Sequence, residues 1–420
     1  MNLNSGARLD VLYWKACHPE RGSSRVDAVR ASRGTLSIRE IIRYRDPATP
    51  LRMTRQRELG KEVGDTSHRG SHGRGARTHM NTIIKLDSNE NPFGPSPHAI
   101  KAMQAVLARC SEYPDDEAST LRLRLAEYHA VKVEQILLAG GLTEFLGMLA
   151  RAYLAPGLNA VTSERSFIVY RLATEAAGAQ LIEVPMRQNG FDLDRVAATV
   201  NRNTRIIFLA NPNNPTGTMV TADEVDHLLG HVPEQVVVLD EAYHEFAQDF
   251  AARGAVTYSR SLDYVRQGRN VVVLRTFSKV HGLAGARVGY GIASKELIAR
   301  ISRQRSMYCV SALAQAGALA ALEDSAHIRK AVENNTQEAQ RLHSALSGMD
   351  YALTPTWANF LYCEIGRDAR PFAERLKNEG IWVRPLEQWG APEAVRITIG
   401  RPEQNDALLG AMTKLKLKIS

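Results

Sequence analysis

From residue 135 to residue 292, short apolar runs alternate with stretches whose apolar positions recur at helical spacing. Gln135-Ile-Leu-Leu-Ala-Gly140 predicts a strand and Leu142–Leu154 a helix. Asn159-Ala-Val-Thr162 and Gln180-Leu-Ile-Glu-Val184 predict two further strands with an amphipathic stretch between them. Arg205-Ile-Ile-Phe-Leu209, Gln235-Val-Val-Val-Leu239, Asn270-Val-Val-Val-Leu274 and Arg287-Val-Gly-Tyr-Gly-Ile292 continue the series. Strands this uniformly apolar, spaced by helices, must be covered on both faces, which predicts an α/β fold around a mainly parallel sheet. Beyond about residue 325 the pattern changes to helices with a few mixed strands. The expected organisation is therefore a large domain over 121–325 and a smaller α+β domain over 326–420. Residues 80–120 are expected to form an N-terminal arm and to complete the smaller domain. No internal repeat is evident.

Residues 1–79 follow neither period and change the picture through their charge. They hold 16 of the 53 Lys and Arg and 8 of the 45 Asp and Glu, a net of +8, so the remaining residues balance to zero. The basicity belongs to this segment alone, and it is Arg-rich, with Gly-Arg clusters such as Arg69-Gly-Ser-His-Gly-Arg-Gly-Ala-Arg77. Such a composition cannot bury enough apolar surface to offset its ordering entropy. Eight acidic residues and no clear amphipathic helix argue against a transit peptide, and no aromatics follow Tyr44 to suit a nucleic-acid arm. The expectation is a disordered extension, or a start placed ahead of a true one at Met80. No run approaches the roughly 18–20 apolar residues of a membrane span. Four scattered cysteines (Cys17, Cys110, Cys309, Cys363) without a CxxC pair exclude a disulfide scaffold and a zinc ribbon, and fit a reducing cytoplasm. No metal, membrane or nucleic-acid partner is expected.

Candidate chemistry lies at the strand ends, where open α/β sheets bind ligands. In Val237-Val-Leu-Asp240-Glu-Ala-Tyr243 the aspartate ends a buried strand. A Walker B reading lacks its partner, because no GxxxxGK[ST] phosphate loop occurs; a helix-capping role alone would leave the neighbouring motifs unexplained. Asn211-Pro-Asn-Asn214-Pro-Thr-Gly217 follows the preceding strand, Arg275-Thr-Phe-Ser278-Lys279 the next, and Gly282-Leu-Ala-Gly-Ala-Arg287 lies just beyond. Each motif alone is ordinary. Together and in this order, over residues 83–415, they resemble the fold-type I aminotransferases that use pyridoxal phosphate.

That resemblance implies a large domain with a mainly parallel seven-stranded sheet, a smaller α+β domain, and a role for each motif. Lys279 matches the Schiff-base lysine, since only a primary amine can form that link and burial lowers its pKa from about 10.4. Asp240 matches the carboxylate that keeps the pyridine nitrogen protonated. Tyr243 and Asn214 match the donors to the ring's phenolic oxygen. Thr276, Ser278 and Arg287 match phosphate ligands, and Gly140-Gly141-Leu142-Thr143 supplies a helix N-terminus to the same dianion. Relatives often carry Ser-Asp or Ala-Asp where this chain has Leu142 and Thr143, which alters any side-chain contact there. Phe167 aligns with the aromatic that stacks on the ring, or is a core residue.

Asp87-Ser-Asn89-Glu90-Asn91-Pro92-Phe93-Gly94-Pro-Ser-Pro97, Tyr113-Pro-Asp-Asp116, Ala358-Asn359-Phe360, Val383-Arg384-Pro385 and Val395-Arg396-Ile-Thr-Ile-Gly400 narrow the resemblance. They are similar to signatures of the histidinol-phosphate aminotransferases. The implied substrate residues are Arg396, clamping a carboxylate with its fork, Arg384, Asn89, Phe93 and Asn359; Arg384 is otherwise a surface ion pair. Tyr113 matches a tyrosine that reaches the cofactor phosphate of a neighbouring subunit, which implies a homodimer with shared sites. Phe93 stands where many relatives have tyrosine, removing one hydroxyl from the phosphate side of the substrate. The implied reaction is ping-pong transfer of an amino group between L-histidinol phosphate and 2-oxoglutarate. Aromatic amino-acid aminotransferases and threonine-phosphate decarboxylases share most motifs and are the alternatives. A non-enzymatic regulator built on the same domain is a further one, although residues 1–79 show no helix-turn-helix.

Overall fold

The computed structural model describes residues 83–417, so the expectations for residues 1–79 lie outside it. The described chain opens with a two-residue strand, β1 (Ile84–Lys85). Seven strands then build the central sheet: β2 (Ile136–Ala139), β3 (Asn159–Ser163), β4 (Gln180–Val184), β5 (Thr204–Ala210), β6 (Val236–Asp240), β7 (Val271–Thr276) and β8 (Gly289–Ile292). Their spatial order is β2-β8-β7-β6-β5-β3-β4. Pairing is parallel throughout except at β8, which runs antiparallel to both β2 and β7. The expected strand at Arg287 starts two residues later, because Arg287 itself has a left-handed backbone (φ 58°). Strands β6 and β7 are buried at every position, as a sheet layered by helices on both faces requires. β4 departs from the uniform burial expected of these strands: it is the sheet edge, and Gln180 and Glu183 face solvent.

Each connection carries its own helix signal. In the helix Ala222–His231 Thr221 and Glu224 form a reciprocal capping box. The helix Leu142–Tyr153 begins after Gly141, whose φ of 93° belongs to glycine. Buried Leu, Ile, Val and Phe from the sheet and helices form one large core, each such side chain contributing about 1.5–3 kcal/mol relative to exposure.

The C-terminal part adds a four-stranded antiparallel sheet of β9 (Ala352–Thr354), β10 (Phe360–Glu364), β12 (Arg384–Leu386) and β13 (Ala391–Thr398), in the order β12-β13-β10-β9. A separate core of Leu342, Leu361, Phe372, Leu376, Val395 and Met412 lies beneath it. β1 pairs in parallel with β11 (Ile381–Trp382), and Leu86 enters this second core. From there the chain crosses to the large core, which it joins at Ala99 on the helix Pro97–Val106. The crossing passes over the loop after β7: Asn91 Nδ2 donates to the Val280 carbonyl at 2.6 Å, and a side chain at Gly282 would collide with the Gly94 carbonyl. Among the described residues no helix is long and apolar enough to cross a membrane.

Candidate active site

The parallel strands all point their C-terminal ends at one edge of the sheet, and the expected motifs follow directly from those ends. A cavity of about 190 Å³ lies there. It is lined by Leu142 and Thr143 after β2, Phe167 after β3, Asn214 after β5, Asp240 at the end of β6 and Tyr243 just beyond it, Thr276 at the end of β7, and Ser278, Lys279 and Arg287 after β7. Ten of the residues expected to hold a cofactor therefore converge on one space. Tyr113 does not line it; the residue is 81% exposed and its ring stacks on Tyr308 with centroids 4.5 Å apart.

Each wall has a distinct electrostatic character. Burial pushes the Asp240 carboxyl up to about 6, against the opposing effect of Tyr170, whose hydroxyl donates to Oδ2 at 2.8 Å. Lys279 Nζ lines the same cavity, and among the described residues its one hydrogen bond is to the Ser88 carbonyl at 3.3 Å. Burial, followed by the Arg396 charge, brings this amine down to about 7, where a useful fraction is neutral and nucleophilic. Arg287 forms the third wall. Its Nη1 donates to the Ala284 carbonyl at 2.8 Å, and a Cβ on Gly141 would run into its guanidinium. Glycine at 141 thus makes room for a cation directly over the first helical turn at Leu142. Thr276 Oγ1 accepts the Ser278 N–H at 3.0 Å, drawing those two hydroxyls into the same corner.

A further charged group stands behind the lining residue Asn214, on β13. Arg396 is 6% exposed, donates from Nη1 to Asn214 Oδ1 at 2.6 Å and from Nη2 to the Asp87 carbonyl at 2.7 Å, and leaves Nε without a partner. No carboxylate among the described residues pairs with it, and burial lowers its pKa to about 10. A buried guanidinium bonded only to neutral oxygens is a site awaiting an anion. Arg384, opposite it in the β12–β13 register, is instead held by Asp87 Oδ2 at 3.1 Å. Asn359 Nδ2 donates to the Asn89 carbonyl at 3.1 Å. Asn89 contacts Tyr243, Thr398 and Asn359, and Phe93 packs beside the Tyr243–Val280–Phe360 cluster with Lys330 Nζ 4.3 Å above its ring.

Two supporting features were missed from the sequence. Tyr170, fully buried, stacks on Phe208 (4.7 Å, 3°) and meets Phe167 edge-on while holding Asp240; its position three after Phe167 on a helical path was the available signal. Behind the strand ends Glu241 and Arg275 form a buried ion pair, with Oε2 accepting from Nε at 3.1 Å and Nη2 at 2.8 Å. These two residues directly follow Asp240 and precede Thr276, so they tie the two strand ends that carry the cavity's charged groups.

The family model for aminotransferase class I and II matches residues 81–412. A histidinol-phosphate aminotransferase of Pseudomonas aeruginosa is 43% identical over 335 residues, covering 79% of this chain and 89% of its own. A histidinol-phosphate aminotransferase of Moorella thermoacetica is 42% identical over 335 residues, covering 79% and 85%. Among solved structures, the histidinol-phosphate aminotransferase of Sinorhizobium meliloti in complex with pyridoxal-5'-phosphate superposes with a TM-score of 0.74 at 27% identity, covering 81% of this chain and 92% of that one.

Proposed function

The chain belongs to the class I and II aminotransferases, and from that premise we propose that it exchanges an amino group between L-histidinol phosphate and 2-oxoglutarate, giving imidazole acetol phosphate and glutamate, a step of histidine biosynthesis. Its cofactor is pyridoxal phosphate, and the cavity suits that molecule. An amine without an acidic partner, a buried carboxylate lining the same cavity, and an arginine beside a helix N-terminus match an aldehyde, a basic ring nitrogen and a dianion. Lys279 would hold the aldehyde carbon, Asp240 the ring nitrogen, and Tyr243 with Asn214 the phenolic oxygen. Thr143, Thr276, Ser278, Arg287 and the amides at Leu142 would hold the phosphate, and Phe167 would cover the ring face.

When bound, pyridoxal phosphate supplies an electrophilic carbon for the amino group and a conjugated ring that accepts the electron pair left as Cα loses its proton. The protein's residues do the rest. Lys279, poised near neutrality and displaced from the aldehyde carbon by the incoming amine, would take the proton from the substrate's Cα and deliver it to the carbon on the other side of the transferred nitrogen. Asp240 keeps a proton in place on the ring side. Arg396 binds the carboxylate of glutamate or the phosphate of histidinol phosphate in alternate halves of the cycle, which its planar fork permits. The observation that carries the substrate reading is this buried guanidinium with no acid partner beside the Lys279 cavity. Arg384 is proposed as a second contact, released from Asp87 when an anion arrives. Asn89, Phe93 and Asn359 frame the same entrance.

The working unit is proposed to be a homodimer in the cytoplasm. Tyr113, Met307 and Leu107 present exposed apolar surface, and Cys110, Cys309 and Cys363 are unpaired as in a reducing compartment. A substrate panel tests the assignment. With 2-oxoglutarate as acceptor, kcat/KM for histidinol phosphate should exceed that for phenylalanine or tyrosine at least about tenfold. Equal use of the aromatic amino acids would make the protein an aromatic aminotransferase, and carbon dioxide released from phosphothreonine would make it a decarboxylase.

A further inference from the structure

Asn89 sits where three parts of the chain meet, 1% exposed and left-handed at φ 55°, a conformation that asparagine tolerates better than most residues. Its N–H donates to Thr398 Oγ1 at 2.9 Å, and its carbonyl accepts from Asn359 Nδ2 at 3.1 Å. Its side chain reaches two hydroxyls: Oδ1 accepts from Thr398 Oγ1 at 3.2 Å, and Nδ2 donates to Tyr243 Oη at 2.9 Å.

Which end of the amide faces Tyr243 is decided by Thr398. A threonine hydroxyl has one proton, and this one already receives the Asn89 N–H. Among the described residues its only acceptor is Asn89 Oδ1. Turning the amide over would direct two donors at the Thr398 oxygen and strand its proton at a site 3% exposed, which buried polar groups avoid. The amide oxygen therefore faces Thr398 and the NH₂ faces Tyr243. It follows that the Tyr243 hydroxyl accepts from Asn89, and its own single proton has no acceptor among the described residues. That proton is left for the cavity that Tyr243 lines together with Asp240 and Lys279.

We infer that Asn89 is a positioning residue, pinned by Thr398, that fixes the Tyr243 hydroxyl as a donor into the cavity, toward an anionic oxygen of the bound cofactor. The inference rests on the cofactor assignment above. It gives Asn89 a different task from contact with substrate: all four of its polar groups are engaged by the protein, and only one amide hydrogen stays free. It also joins β13, which carries Arg396, to the turn after β6, which carries Tyr243, through a single side chain.

The variant Asn89→Asp tests it, since aspartate has the same shape and tolerates the same backbone. Its oxygen would draw the Tyr243 proton away from the cavity. The readout is the pH midpoint of the visible absorbance of the protein loaded with pyridoxal phosphate, because a donor to the phenolic oxygen favours its anionic form. The ionisable groups facing Tyr243 are Asp240 on its own turn, Lys279 with Nζ 5.6 Å from the ring, and Arg396 on β13, so a new carboxylate also adds charge among them. That charge is isolated by making the same change in a Tyr243→Phe background, where no hydroxyl can turn. The midpoint should rise by about one pH unit or more with tyrosine present, the size of one hydrogen bond to a charged oxygen, and by clearly less with phenylalanine. An equal rise in both backgrounds, or none with tyrosine present, overturns the inference. Should Asn89→Asp not fold, Thr398→Val is read in the same way, as it frees the amide to turn over; no rise that depends on Tyr243 again overturns it. A wild-type protein without a visible band that Lys279→Ala abolishes would overturn the cofactor assignment itself, whereas equal shifts with the band intact would overturn only the role of Asn89.

Discussion

Lys279 shows how much one buried side chain can carry. Burial first, and the Arg396 charge second, bring its amine from an ordinary 10.5 to about 7. Above that value the amine is neutral and can attack an aldehyde; below it the amine is protonated and cannot. The rate at which the cofactor-free protein takes up pyridoxal phosphate should therefore climb as pH rises through about 7 and level off by about 8, followed by the growth of the visible band. A rate that is flat from pH 6 to 8 would mean that the amine is not titrating there. Lys279→Ala should abolish both the band and turnover. This lysine, Asp240 and Arg287 were legible in the sequence because each ends or follows a strand within a recognisable motif. Tyr170 was not, since a tyrosine on a helical path reads as a core aromatic until Asp240 is placed beside it. The bonds of Asn89 were illegible for a different reason: Thr398 is 309 residues away, and no local pattern announces such a partner.

At the scale of elements the apolar runs placed all seven strands of the central sheet, since burial on both faces leaves a plain hydrophobic signature. Strand order does not, and β4 illustrates the gap: its mixed exposure follows from lying at the edge, a fact of topology. The Glu241–Arg275 pair is likewise a product of register, placed by β6 lying beside β7. For Glu241, burial alone would push the carboxyl up, but Arg275, with His244 and Ser259, holds it well below its usual 4.5. Its stabilising effect is thus present above about 4.5 and is lost as pH falls below that value. Breaking the pair from one side leaves a buried charge. Arg275→Met should lower the unfolding free energy by about 3–5 kcal/mol, whereas Arg275→Met with Glu241→Met should recover much of it. Denaturant midpoints of the three proteins decide: a double variant as unstable as the single would show that the uncompensated charge is not the cause.

For the whole molecule, Tyr113 is the most informative exposed residue. Within its own chain the hydroxyl makes no hydrogen bond among the described residues, and the ring only stacks on Tyr308. Tyr113→Phe should leave the melting temperature unchanged yet weaken pyridoxal phosphate affinity by about tenfold, as for a lost bond to a charged oxygen. Equilibrium titration with the cofactor measures this, and unchanged affinity would mean that the tyrosine reaches no partner's site. The crossing of residues 86–99 between the two cores has a consequence in time. The large sheet is complete once β8 has been synthesised, but β1 pairs with Ile381–Trp382 and Asn89 closes on Thr398. The last pieces of the site are therefore near the end of the chain, and contacts this distant in sequence form late. On refolding, secondary structure should return ahead of the visible band. A chain interrupted before β13 carries the lysine, the aspartate and the tyrosine but not the arginine that helps bring the lysine to neutrality, so it should take up the cofactor more slowly at pH 7 than the complete chain does.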